Sequence, residues 1–240
     1  MTSAMFRFER RRPMATWMVA MLAAGCFAES ALAQNTELAS GRQIVTQGAG
    51  PAVAACAGCH GARGEGLAAF PRLGGTGQAY LQAQLDAFAK GTRQNPLMQP
   101  IAQGLTSAQR AAVARYYSSL PPSQRAAAVA SIGPADAGAW LATRGRWSEQ
   151  IPACAQCHGP GGNGVGADFP PLAGLPAAYI TEQLQAWKNG ARPPGPLALM
   201  ETVAKKLGDA EISAVSSYYA GLAATFAGPA GPATIPKAKP

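Results

Sequence analysis

The chain has 240 residues, 48% of them apolar, with 20 basic and 12 acidic side chains and a formal charge of +8. Such a length and composition suit one large packed domain or two small ones and exclude disorder throughout. Lysine and arginine are scattered with no cluster of five or six, which excludes a nucleic-acid-binding patch as the source of the basicity.

Residues 1–33 differ from the rest. Arg7, Arg10, Arg11 and Arg12 precede an apolar run from about Met14 to Ala28, and "SALAQ" places small residues for cleavage after Ala33. This reads as a secretory signal peptide, because the run falls short of the roughly 20 residues that span a bilayer. "ERRRPM" has adjacent arginines without the rest of a twin-arginine consensus, so the export route stays open. "LAAGC", ending at Cys26, faintly matches a lipoprotein cleavage site, but Ala23 suits its first position poorly and cleavage after Ala33 is preferred. Cleavage there leaves 16 basic and 10 acidic residues.

The residues that remain are few and paired: Cys56, Cys59, Cys154, Cys157, His60, His158, Met98 and Met200, with no other cysteine, histidine or methionine after Ala33. An internal repeat explains the pairing. "CAGCHG" at 56–61 returns as "CAQCHG" at 154–159, Phe70-Pro71 as Phe169-Pro170, Tyr80 as Tyr179, Gln84-Leu85 as Gln183-Leu184, and Arg93 as Arg192. "MQPIAQGLTSAQRAAVARYY" from Met98 matches "METVAKKLGDAEISAVSSYY" from Met200. Each unit is about ninety residues, which predicts domains at 34–120 and 136–223, a linker at 121–135 and a disordered Pro/Gly/Ala-rich tail at 224–240.

The regular segments within each unit have helical periodicity, as in Tyr80, Leu81, Leu85 and Phe88, with Gly91 as a stop signal. Thr106 with Gln109 predicts an N-cap, and Asp209 a similar one. No run alternates like a strand. Three or four short helices per unit form a marginal core by themselves, so a large apolar group is expected at each centre.

Three chemistries compete for the Cys-x-x-Cys pairs. Disulfide exchange belongs with a βαβ pattern, which is absent. Zinc would need further ligands that only the other repeat could lend. Covalent haem uses every residue: cysteines three apart on a helical turn form two thioether bonds, and His60 or His158 reaches the iron from one face. A methionine thioether can take the other face, and Met98 and Met200 lie 38 and 42 residues after their histidines, in Pro-containing loops. Lysine, tyrosine or an open position are the alternatives. The paired tyrosines 116–117 and 218–219 read as helix packing, and Gly61, Gly64, Gly66, Gly159, Gly162 and Gly164 as turn formers beside the haem.

Through "CAGCHG", "FPRLGG", "AYLQAQLDAF", "MQPIAQGLT" and their partners, residues 36–223 resemble the dihaem class I cytochromes c, specifically the cytochrome c-four group. The resemblance implies an all-α protein of two tandem cytochrome c-like haem domains, with two covalently bound haem c. Cys56, Cys59, Cys154 and Cys157 would be the anchors, and His60 with Met98 and His158 with Met200 the iron ligands. It further implies that the carbonyls of Pro71 and Pro170 accept a hydrogen bond from the haem histidines. The expected function is periplasmic electron transfer between membrane respiratory complexes, such as a quinol–cytochrome c reductase and a terminal oxidase. Membrane association would then arise only through such partners. The alternative is an electron-accepting subunit of a periplasmic dehydrogenase that oxidises sulfide, thiosulfate or an alcohol. A peroxidase is disfavoured, since no histidine remains for a distal site.

Overall fold

The computed structural model describes residues 35–121 and 136–222. The expected signal peptide, Cys26, the expected tail and all of the expected linker but residue 121 lie outside the described residues. The described residues from 38 onward group as one compact unit, and of the preceding segment only residues 35–37 of α1 are described.

Ten α-helices and three short 3-10 turns make up the described chain. The first lobe contains α1 (35–47), α2 (Ala57–His60), α3 (Gln78–Ala89), α4 (Met98–Gln103) and α5 (Ser107–Ser119). The second contains α6 (Ala137–Thr143), α7 (Cys154–His158), α8 (Ala177–Lys188), α9 (Leu199–Lys206) and α10 (Asp209–Gly221). Each lobe thus has five helices rather than three or four, because the Cys-x-x-Cys-His segment coils into a helix of its own and the methionine segment forms another. Among the described residues there is no strand, only isolated bridges such as Leu67 with Phe70 and Val165 with Phe169. None of the helices is long and apolar enough to cross a membrane.

Local sequence signals account for the helix ends. Thr106 and Gln109 form a reciprocal capping box at α5: the Gln109 amide donates to Thr106 Oγ1 and the Thr106 amide to Gln109 Oε1. At α10 the expected role of Asp209 is corrected. Asp209 is the first helical residue, Glu211 Oε2 accepts from the Gly208 amide, and the Asp209 carboxylate pairs with Lys188 at 2.8 Å. Gly91 adopts φ 72° one residue past the C-cap of α3, the left-handed stop its position predicts.

The apolar residues separate into two cores, one per repeat. Val45, Val53, Leu81 and Tyr117 belong to the first, and Ile151, Ile180, Ile212 and Tyr219 to the second. Within the second lobe α10 packs on α6 and α8, and within the first α3 packs on α4 and α5. The last helix of each lobe also closes on the loop after the histidine, since the Tyr117 carbonyl accepts from the Gly75 amide and the Tyr219 carbonyl from the Gly174 amide.

Candidate functional site

Each site begins with a short helix that ends on its histidine. In α2 and α7 the cysteines lie three residues apart, nearly one turn, and so share a face. None of the four is tied up in a disulfide. Burial pushes the Cys154 thiol up to about 11, and raises that of Cys56 too. Both cysteines pack against the core of their own lobe.

After the histidine the chain turns back on itself through hydrogen bonds that repeat in both lobes. The Gly66 amide donates to the His60 carbonyl and the Gly164 amide to that of His158. The Leu73 and Gly74 amides converge on the Gly64 carbonyl, as those of Leu172 and Ala173 do on Gly162. Gly66 sits at φ 86°, and a methyl group there would lie 2.9 Å from the Arg72 nitrogen and the Phe70 oxygen, so only glycine fits.

This turn brings the Pro71 carbonyl to 2.8 Å from His60 Nδ1 and the Pro170 carbonyl to 2.7 Å from His158 Nδ1. A carbonyl only accepts, so Nδ1 carries the proton and Nε2 keeps its lone pair. Burial lowers the pKa of both imidazoles, partly offset by these carbonyls, which favours the neutral, ligating form. Phe70 and Phe169 hold the rings edge-on at centroid distances of 5.9 and 6.2 Å. His60 Nε2 is buried and meets no hydrogen-bond partner. A soft metal-ligating nitrogen, fixed in tautomer and left with a free lone pair beside two thiols at i and i+3, suits covalently attached haem. Among the described residues no three His, Cys, Asp or Glu side chains converge as a metal-binding group.

The methionines arrive on separate elements. Met98 is the first residue of α4, where the Asn95 side chain accepts from the Leu97 and Met98 amides at 3.0 and 2.9 Å. Met200 is the second residue of α9 and packs against the second core together with Cys154, Leu172 and Tyr179. A strained turn precedes it, with Leu197 and Ala198 at φ 57° and 51°, where the first lobe has the Asn95 turn.

The repeat positions Tyr80, Gln84, Arg93 and their partners drew no functional reading from the sequence. The structure joins them between the lobes. Arg93 donates to Gln84 of its own lobe at 2.9 Å, and to Tyr179 and Gln183 of the other at 3.2 and 2.7 Å. Arg192 reciprocates, reaching Gln183 at 3.0 Å, Tyr80 at 3.1 Å and Gln84 at 2.8 Å. Arg93 stacks on Phe88 and Arg192 on Trp187. Burial alone would raise the Tyr80 phenol, but Arg192 and Arg93 outweigh it and hold Tyr80 below its ordinary value. The available signal was the identical placement of these polar residues in both repeats.

Two helical lobes, each offering a cysteine pair and a fixed, neutral imidazole, define a class of protein that holds two covalently attached haems. The Cytochrome c family profile matches residues 39–121 and 148–223. The chain is 47% identical over 192 residues, covering 79% of it and 89% of the relative, to a "Thiosulfate dehydrogenase electron acceptor" of Stutzerimonas stutzeri. It is 37% identical to a cytochrome c4 of Pseudomonas aeruginosa, covering 72% of this chain and 87% of that one. Among solved structures, a thiosulfate dehydrogenase from Marichromatium purpuratum superposes with a TM-score of 0.68 at 45% identity, covering 76% of this chain but only 40% of that one. Reduced cytochrome c4 from Pseudomonas stutzeri gives 0.64 at 33% identity, covering 77% and 97%. The chain belongs to the cytochrome c family. It carries two covalently bound haem c groups and serves electron transfer, not catalysis of its own.

Proposed function

We propose that the protein is a periplasmic electron acceptor of a thiosulfate-oxidising dehydrogenase, taking electrons at one haem and releasing them from the other to a membrane respiratory complex. Haem iron supplies the reversible one-electron couple, so two sites store two electrons. Cys56 and Cys59, with Cys154 and Cys157, are the thioether anchors. His60 with Met98, and His158 with Met200, are the axial ligands, and the Pro71 and Pro170 carbonyls orient the imidazoles. In this reading the domains run 34–120 and 136–223, behind a cleaved signal peptide.

The electron-transfer reading rests on the duplication of a buried imidazole whose Nδ1 is fixed by a proline carbonyl. The choice of donor rests on likeness: 47% identity to the electron acceptor, against 37% to cytochrome c4. Full coordination by histidine and methionine disfavours chemistry at iron and favours a high potential, which suits acceptance of electrons.

The test is reduction of the oxidised, purified protein by thiosulfate with and without a thiosulfate dehydrogenase. Reduction of both haems only in the presence of the dehydrogenase is expected. If the dehydrogenase turns over with another acceptor yet leaves this protein oxidised, the donor assignment is wrong. A second reading, a free shuttle from quinol–cytochrome c reductase to a terminal oxidase, is favoured by the 97% coverage of cytochrome c4. It is supported instead if only such a reductase reduces the protein.

A further inference from the structure

Tyr117 and Tyr219 stand at matching places in α5 and α10, both buried, each with a hydroxyl that meets no hydrogen-bond partner among the described residues. Their rings cannot swing out to water. A methyl group on Gly64 would lie 2.6 Å from Tyr117 Cε1, and one on Gly162 the same distance from Tyr219 Cε1, so each ring packs directly on the turn that follows the histidine. The backbone is held as well, because each tyrosine carbonyl accepts from the amide of Gly75 or Gly174. A buried hydroxyl without a partner is unfavourable. The same one in both repeats points to an acceptor that forms when the cofactor is attached.

Beside each hydroxyl is the first cysteine of a Cys-x-x-Cys pair. Cys56 packs on the core that contains Tyr117, and Cys154 on the core that contains Tyr219. Tyr117 and Cys56 are close enough to oppose each other's ionisation, and so are Tyr219 and Cys154. In the thiol form the Cys154 sulfur donates its hydrogen toward the Leu141 carbonyl at 3.8 Å, and the Tyr219 hydroxyl lacks hydrogen-bond geometry to it. Glu65 also bears on Tyr117, but its carboxylate accepts from the Arg63 amide at 2.8 Å, and the second lobe has Asn163 at that place. The acceptor common to both lobes is therefore the cysteine sulfur. On attachment the S–H adds across a vinyl double bond, sulfur bonding to one carbon and hydrogen to the other, with no oxidant or reductant. The sulfur loses its hydrogen, keeps its lone pairs and can then only accept.

We propose that the Tyr117 and Tyr219 hydroxyls donate hydrogen bonds to the thioether sulfurs of Cys56 and Cys154, each positioning one edge of the haem in its own lobe and raising that haem's reduction potential. The inference rests on these cysteines being haem anchors and is independent of which enzyme donates the electrons. A donor on the sulfur draws electron density from the macrocycle and favours the ferrous state. Because a thioether is a weak acceptor, the bond adds little to folding, and its mark is electronic.

The experiment compares haem-loaded parent, Y117F, Y219F and the neighbouring controls Y116F and Y218F by potentiometric titration and by resonance Raman spectroscopy of the C–S stretching vibration. Tyr to Phe keeps the ring that packs on the turn and removes only the donor. Two haems per chain by haemochrome assay come first, so failure of the haem reading is seen before any potential is measured. Y117F and Y219F are each expected to lower one of the two one-electron steps, a different one in each, and to shift a C–S band, while Y116F and Y218F keep the parental values. Parental potentials in Y117F and Y219F, or both steps lowered equally by one substitution, overturn the proposal. A lowered potential with the C–S bands unmoved assigns the hydroxyl to another acceptor and overturns it too. If Y117F and Y219F do not load two haems, the parent decides: its C–S bands should shift after full exchange into D2O, and identical bands are equally fatal.

Discussion

Gly77 and Ala167 meet backbone to backbone across the lobes. Gly77 is the N-cap of α3, and a methyl group placed on it would overlap the Ala167 carbonyl, the acceptor of the Tyr80 amide at 3.0 Å. The backbone there, φ −54° and ψ 135°, is one that alanine adopts freely, so the requirement for glycine is contact, not conformation. Gly77→Ala is therefore expected to destabilise the protein by about 1–3 kcal/mol through overpacking. Gly58→Ala, where nothing lies within 4 Å of the new methyl, is expected to be neutral. Thermal unfolding of both variants checks this.

A second substitution separates the two haems. Gly66→Ala forces an unfavourable φ and presses on the loop that presents the Pro71 carbonyl to His60. Loss of that hydrogen bond makes the imidazole less basic and so raises the potential of the first haem. The second haem should be unaffected, and Gly164→Ala should invert the result. Redox titration resolving the two steps gives the answer, and equal shifts at both haems would contradict independent orientation of the histidines.

Met98→Ala and Met200→Ala test the proposed axial ligands. Each is expected to remove half of the weak far-red band of methionine-ligated ferric haem while leaving two haems per chain. An intact band in Met200→Ala would mean that the strained turn at Leu197 and Ala198 delivers a different ligand.

Tyr117 and Tyr219 predict an alkaline limit to stability. Burial, at 1% exposure each, holds both phenols protonated well above their ordinary value near 10. With folded pKa values above the unfolded ones, their contribution is fully present below about pH 10 and is lost as pH rises further. The loss amounts to about 1.4 kcal/mol per pH unit for each tyrosine. Tyr117→Phe should match the parent at pH 7 and flatten the alkaline limb, as read from urea midpoints between about pH 9 and 11.

Much of this architecture is legible in the residues. Two copies of Cys-x-x-Cys-His at a fixed repeat suffice for the family and the cofactor, and Thr106 with Gln109 suffices for the start of α5. Asp209 was misread because a carboxylate in a first turn suits both an N-cap and a helix dipole, and only the fold shows Lys188 drawing it outward. The extra helices were missed since runs as short as α2 and α4 contain too few turns for periodicity to register. Arg93 and Arg192 lay beyond reach for a different reason. Their partners in the other lobe stand 86 to 112 residues away, so local sequence does not distinguish them from solvated arginines.

The contact between the lobes has a consequence for how the protein meets others. Its arginines bond to amide and phenol oxygens in a buried setting, whereas encounter with another protein depends on exposed charge screened over about 8–10 Å at ordinary salt. Rising ionic strength should thus release a docked partner long before it loosens Arg93 from Gln183. The two haems diffuse as a single particle, and one collision gives a donor access to a two-electron reservoir that dilution cannot divide.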